Sequence, residues 1–122
     1  QRDELSVVGD QIGSPTYATD LAGAIVNIIN NKDYQDREQP TEIYHYSNEA
    51  EISWCDFAKE VFKLTKTDCK VNPINTEQYL TLAQRPKCTT MNLDKIKNIY
   101  GIKISSWRDS LGRRIQNLIK NQ

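Results

Sequence analysis

Apolar residues first gather at Leu5, Val7 and Val8, a β-branched run that stops at Gly9-Asp10 and predicts a strand. After the loop Gln11-Ile12-Gly13-Ser14-Pro15-Thr16, positions Leu21, Ala22, Ile25, Ile28 and Ile29 follow the spacing of one helix face, which predicts a helix over 17–30. Ser14 or Thr16 stands where a side chain caps such a helix. Residues 30–40 are polar throughout and read as a solvated connector. Ile43-Tyr44-His45-Tyr46-Ser47 is rich in β-formers and predicts the next strand, so that strand, helix and strand would close a parallel, right-handed crossover. Ser53 with Asp56 three residues on forms a capping-box arrangement, and it opens a helix whose stripe is Trp54, Phe57, Ala58, Val61 and Phe62.

Further on the pattern loosens. Val71-Asn72-Pro73-Ile74 reads as extended, 76–82 as one short helical turn, and Arg85-Pro86 as backbone held out of helical geometry by the proline. Residues 93–100 predict a short helix ended by Gly101. Ser106-Trp107-Arg108-Asp109 caps a last helix with Trp107, Leu111, Ile115, Leu118 and Ile119 on its buried stripe. The sum is a mixed α/β piece of two to four strands and about four helices.

Composition narrows the function classes. The 122 residues carry 16 Lys and Arg against 16 Asp and Glu, so the clustered positive charge that nucleic acid or an anionic membrane requires is missing. No run of about 18 apolar residues occurs, which excludes a spanning helix. Three cysteines at irregular spacing beside a single histidine propose neither a disulfide framework nor a zinc site, and fit reduced thiols in the cytoplasm. The chain starts Gln-Arg-Asp-Glu, without an initiator Met or a signal segment, and reads as cut from a longer protein.

A search for catalytic parts finds little. His45 lies in an alternating strand pattern, no tyrosine is followed by lysine at the Tyr-x-x-x-Lys spacing, and the five glycines form no phosphate loop. Two features remain. The loop from Gln11 to Thr16 follows a strand and precedes a helix, where free N–H groups and the helix dipole meet ligands in open α/β sheets. The equal alternative is turn chemistry, with Gly13 at positive φ, Pro15 starting the helix and Ser or Thr capping it. Arg85 on its stiff Arg-Pro step could grip a pyrophosphate by paired hydrogen bonds, or stand in a surface ion pair. The basic residues Arg108, Arg113, Arg114 and Lys120 read as a solvated face, and Trp54 and Trp107 as core.

In order along the chain, Asp10-Gln11-Ile12-Gly13-Ser14-Pro15-Thr16-Tyr17 with Asp20-Leu21-Ala22, Ile43-Tyr44-His45-Tyr46-Ser47-Asn48, Ser53-Trp54-Cys55-Asp56-Phe57-Ala58, Pro73-Ile74-Asn75-Thr76-Glu77-Gln78-Tyr79, Ala83-Gln84-Arg85-Pro86, Leu93-Asp94-Lys95-Ile96 and Gly101-Ile102-Lys103-Ile104 with Trp107-Arg108-Asp109-Ser110-Leu111 resemble the C-terminal part of dTDP-4-dehydrorhamnose reductases. The segment after Arg85-Pro86 departs from the family pattern, with Lys87-Cys88-Thr89-Thr90 in place of a small or aromatic residue followed by Ser. The resemblance implies an α/β fold that is the C-terminal part of a Rossmann-type extended short-chain dehydrogenase/reductase. On it, residues 1–122 are a single fragment: the last sheet strands and crossover helix plus the C-terminal substrate-binding domain, with the N-terminal cofactor-binding Rossmann domain outside the chain.

The implied activity is reduction of dTDP-4-dehydro-6-deoxy-L-mannose to dTDP-L-rhamnose for cell-surface polysaccharide. NADPH or NADH would be bound by the parent enzyme outside this chain. The implied partners are the dTDP-sugar, the absent Rossmann domain and, for the parent, a second copy in a homodimer, with neither nucleic acid nor membrane. Substrate-binding positions carried over are Gln11, Gly13, Ser14, Pro15, Thr16 and Arg85. No catalytic residue, cofactor contact or metal ligand is expected here, and the isolated chain is expected to be inactive. The alternative is a non-catalytic regulatory subunit of the same fold, as the β subunit of methionine adenosyltransferase is.

Overall fold

A computed structural model describes residues 3–31, 41–79 and 81–120. The predicted connector over 30–40 falls mostly outside them, as does Leu80 within the predicted turn over 76–82. In chain order the elements are β1 (Glu4–Val8), β2 (Ile12–Gly13), α1 (Ala18–Ile29), β3 (Ile52–Ser53), α2 (Trp54–Thr65), β4 (Lys70–Ile74), a 3₁₀ turn (Thr76–Gln78), α3 (Asp94–Tyr100) and α4 (Trp107–Lys120). Among the described residues no helix is long and apolar enough to cross a membrane.

Helix ends follow local chemistry. Ser53 Oγ accepts from Asp56 N at 3.0 Å and donates to the Asp56 carboxylate at 2.9 Å, which starts α2 where the sequence places it. Ser106 and Asp109 repeat the arrangement at the head of α4, at 3.2 and 2.8 Å. Gly101 takes a left-handed conformation at φ 63 and closes α3.

Strand pairing differs from the expectation. β1 pairs in parallel with β4, from Glu4 opposite Lys70 to Val8 opposite Ile74, while β2 and β3 form a two-residue antiparallel ladder. Residues 43–47 join no ladder among the described residues, so the predicted crossover from β1 to this segment is not formed. Its alternation survives: Tyr44 and Tyr46 turn inward, Ile43 and His45 outward. A strand needs a neighbour for its N–H and C=O groups, and here the side chains find the core while the backbone finds no adjacent strand.

The core gathers Ala24 of α1, Leu93, Ile96 and Tyr100 of the α3 region, and Ile102, with Ile28, Tyr44, Tyr46 and Ile104 packed against it. Tyr44 meets Tyr100 with ring centroids 5.2 Å apart. α2 lies on the β1–β4 ladder, and its Phe57 touches the buried Trp107 of α4 at 5.8 Å between ring centroids. Three predicted stripes are corrected. Leu21, Ile25 and Ile29 of the predicted α1 stripe are 36–50% exposed, and Leu118 and Ile119 at the end of the α4 stripe are 46% and 64% exposed. Trp54, expected in the core beside Trp107, is 49% exposed.

Candidate functional site: a cavity between the first strand and the Arg-Pro segment

Asp10 follows β1, and its carboxylate accepts from the backbone N–H and the hydroxyl of Thr76 at 3.0 and 2.8 Å. The Thr76 hydroxyl bond is the main reason the Asp10 carboxyl lies below its ordinary pKa; partial burial opposes it. Gln11 Nε2 donates to the same Thr76 hydroxyl at 3.2 Å. The end of β1 and the 3₁₀ turn are thereby tied together, and Tyr79 is set just past that turn.

Downstream, the segment carrying Arg85 is stitched to β2. Ile12 N donates to Lys87 O at 2.8 Å, and Thr89 N donates to Ile12 O at 3.0 Å. These bonds bring Arg85 and Gln11 to one cavity of about 400 Å³, lined also by Ser6, Val7, Val8, Trp54, Tyr79 and Thr81. Its size suits a small organic ligand. Arg85 is exposed, and no carboxylate among the described residues pairs with it, so its guanidinium is available to an anion.

The other carried-over positions lie elsewhere. Gly13 is buried under the Arg85 segment, and a Cβ there would stand 2.7 Å from Thr89 Oγ1. Its backbone is not at positive φ, so close approach, not turn conformation, requires glycine at this position. Ser14 lines a second cavity of about 420 Å³ with Asn48, Glu49, Asn92 and Lys97. Pro15 and Thr16 line a small cleft of about 160 Å³ with Tyr17, Phe57, Trp107 and Arg114. Neither Ser14 nor Thr16 caps α1: Thr16 Oγ1 donates to Ser14 O at 3.3 Å, and the helix begins after Tyr17 without a side-chain cap of its own.

The residue that serves this helix start is Asn48, which sequence reasoning missed. It is fully buried, and its Oδ1 accepts from Tyr17 N at 2.7 Å. Its Nδ2 donates to Asp20 at 2.8 Å, to Ser110 Oγ at 3.0 Å and to Ser105 O at 3.1 Å. Asp20 also accepts from Ser110 Oγ at 2.5 Å and from both-oxygen contact with Arg113 Nη2 at 2.8 Å. Burial pushes the Asp20 carboxyl up, but the Ser110 and Asn48 hydrogen bonds and the Arg113 charge outweigh it and hold the group below its ordinary value. Only the sequence neighbourhood Tyr46-Ser47-Asn48, a buried-strand pattern running into a polar residue, hinted at it.

A family model described as the RmlD substrate binding domain matches residues 1–120. The dTDP-4-dehydrorhamnose reductase of Aggregatibacter actinomycetemcomitans is 39% identical over 116 residues, which are 90% of this chain and 39% of that protein. The crystal structure of a dTDP-4-dehydrorhamnose reductase from Clostridium acetobutylicum superposes with a TM-score of 0.86 at 36% identity, covering 97% of this chain and 40% of that one. The Bacillus anthracis enzyme, solved in complex with NADP, gives a TM-score of 0.83 at 35% identity over 95% of this chain and 39% of its own. The chain thus spans about two fifths of the length of the relatives it matches. A family match over almost every residue, an α/β arrangement of few strands and four helices shared with solved relatives, and over one-third identity to them converge: the chain belongs to the RmlD substrate binding domain family and is homologous to part of dTDP-4-dehydrorhamnose reductase.

Proposed function

We propose that this chain is the sugar-nucleotide-binding portion of a dTDP-4-dehydrorhamnose reductase, whose whole protein converts dTDP-4-dehydro-6-deoxy-L-mannose to dTDP-L-rhamnose with NADPH or NADH. The observation that carries the reading is the meeting of Gln11 and Arg85, distant in sequence, in one cavity of ligand size. There the Arg85 guanidinium takes the diphosphate through paired charge-assisted hydrogen bonds, and Gln11 supplies a neutral amide beside it. Gly13 acts by letting the Arg85 segment approach β2, while Ser14, Pro15 and Thr16 shape the neighbouring clefts.

The chain's own residues do not fit a dinucleotide. Its glycines, at 9, 13, 23, 101 and 112, form no cofactor loop, and at the α1 start the N–H of Tyr17 is already taken by Asn48. On this reading the cofactor and the proton donor belong to the remainder of the parent. This portion binds and orients the sugar nucleotide and screens it from water, and alone it does not turn over.

The test is Arg85→Ala in the full-length protein. Loss of charge-assisted hydrogen bonds predicts a KM for the dTDP-sugar raised roughly 10- to 100-fold with kcat changed less than about threefold. Arg85→Lys should recover part of the loss. An unchanged KM contradicts the assignment.

A further inference from the structure

The Gln11 side chain has two unlike ends, an oxygen that only accepts and an N–H₂ that only donates, and its neighbours decide which end a ligand meets. The order of donors starts at a backbone N–H, whose direction is not open to choice. Asp10 Oδ1 accepts from Thr76 N at 3.0 Å, and the Thr76 hydroxyl approaches the same oxygen at 2.8 Å. An ionised carboxylate has no proton to give, so the hydroxyl hydrogen goes to Asp10. Thr76 Oγ1 is left with lone pairs alone, and the Gln11 amide stands 3.2 Å from it. Only the amide nitrogen satisfies that contact; turned over, the Gln11 oxygen would face an oxygen with no hydrogen to offer. Gln11 Nε2 is thereby held to the 3₁₀ turn, and Oε1 accepts from no group among the described residues. Both anchors are themselves fixed. Asn75 N donates to the Gln78 side chain at 2.8 Å and Tyr79 N to Thr76 O at 3.1 Å, while Gly9 N, just before Asp10, donates to Ile74 O at 2.9 Å.

Resting on the reading that this cavity takes a sugar nucleotide, we propose that Asp10 and Thr76 are positioning residues that hold the Gln11 amide with its carbonyl oxygen toward the ligand, so that this point of the cavity selects a hydroxyl donor. Neither residue touches the ligand; both act through Gln11. Arg85 on the same cavity can only donate, so the two polar groups have opposite demands. One takes an anion and the other a hydroxyl, and a ligand that lacks the hydroxyl leaves the Gln11 oxygen without a partner.

The experiment is calorimetric titration of the full-length protein with dTDP-rhamnose and, separately, with inorganic pyrophosphate, which has no sugar hydroxyl and engages Arg85 alone. Thr76→Val, close in shape but without the hydroxyl, should weaken dTDP-rhamnose roughly three- to tenfold and leave pyrophosphate unchanged. Thr76→Ser returns the hydroxyl and should return the affinity. Asp10→Asn keeps an oxygen for both Thr76 bonds and should bind like the parent, whereas Asp10→Ala should behave like Thr76→Val. Gln11→Met removes the amide itself. Because Thr76 acts through Gln11, the double variant should bind dTDP-rhamnose no more weakly than Gln11→Met alone. Arg85→Ala should weaken both ligands. If the Thr76 and Gln11 losses add, if pyrophosphate is lost equally, or if Thr76→Val binds dTDP-rhamnose normally while Arg85→Ala does not, the amide orientation is wrong and the sugar-nucleotide site stands. If Arg85→Ala leaves both ligands unaffected, the site itself is elsewhere and both readings fall.

Discussion

Asn48 sets the energetics at the residue scale. Its side-chain amide is hydrogen-bonded to Tyr17, Asp20, Ser105 and Ser110, which belong to two separate parts of the chain, the starts of α1 and α4. Removing it leaves buried donors and acceptors without partners, so Asn48→Ala should cost about 2–3 kcal/mol in denaturant unfolding. Asp20, in the same network, ionises more readily in the folded protein than in the unfolded chain. Its stabilising contribution is therefore complete above its unfolded pKa, near 4, and is lost as pH falls through the folded value. Asp20→Asn should be less stable than the parent at pH 7, and that gap should narrow below about pH 4; a gap of constant size would show that the carboxylate charge is not what holds the network. At Gly13 the added methyl of Gly13→Ala meets Thr89 Oγ1, with an expected cost of about 1 kcal/mol. Thr89→Ala removes the obstructing oxygen, and the double variant should cost less than the sum of the singles. Ala50 stands in left-handed backbone at φ 69, so Ala50→Gly should stabilise by about 0.5–1 kcal/mol on thermal unfolding.

At the scale of elements, legibility follows the range of the interaction. The Ser53 and Ser106 caps and the Gly101 stop reach three or four residues along the chain, and each was readable from spacing alone. The β1–β4 pairing spans the whole interval between two strands with α1 and α2 inside it, and neither strand's pattern names its partner. Trp54 and Trp107 occupy equivalent places at the first turn of apolar stripes; only tertiary packing puts one in the core and the other on a cavity wall. The same holds at the site: the Arg-Pro step and the Gln11 loop stood out as local signals, whereas Tyr79 and Asn48 acquire their roles from distant neighbours. The α1 stripe was correctly apolar, and what sequence could not show is that Leu21, Ile25 and Ile29 stay exposed. Replacing Ile25 and Val26 with Lys should therefore leave unfolding stability within about 0.5 kcal/mol while raising the solubility limit of the isolated chain. A large loss of stability would place those side chains in a packed environment instead.

For the whole molecule, we propose that an α/β chain with two small ladders builds a nucleotide-sugar cavity from the end of β1, the head of α2, the 3₁₀ turn and the Arg85 segment. The rest of the catalytic apparatus, on this account, lies in the three fifths of the parent that the chain does not span. The most direct measurement is a titration with dTDP-rhamnose followed by backbone amide shifts. The account predicts perturbations centred on Gln11, Trp54, Tyr79 and Arg85, with little change around Asn48 and Lys97. Perturbations confined to the Ser14–Asn48–Lys97 cavity or to the Trp107 cleft would contradict it and move the substrate site to the other side of the Gln11–Thr16 loop.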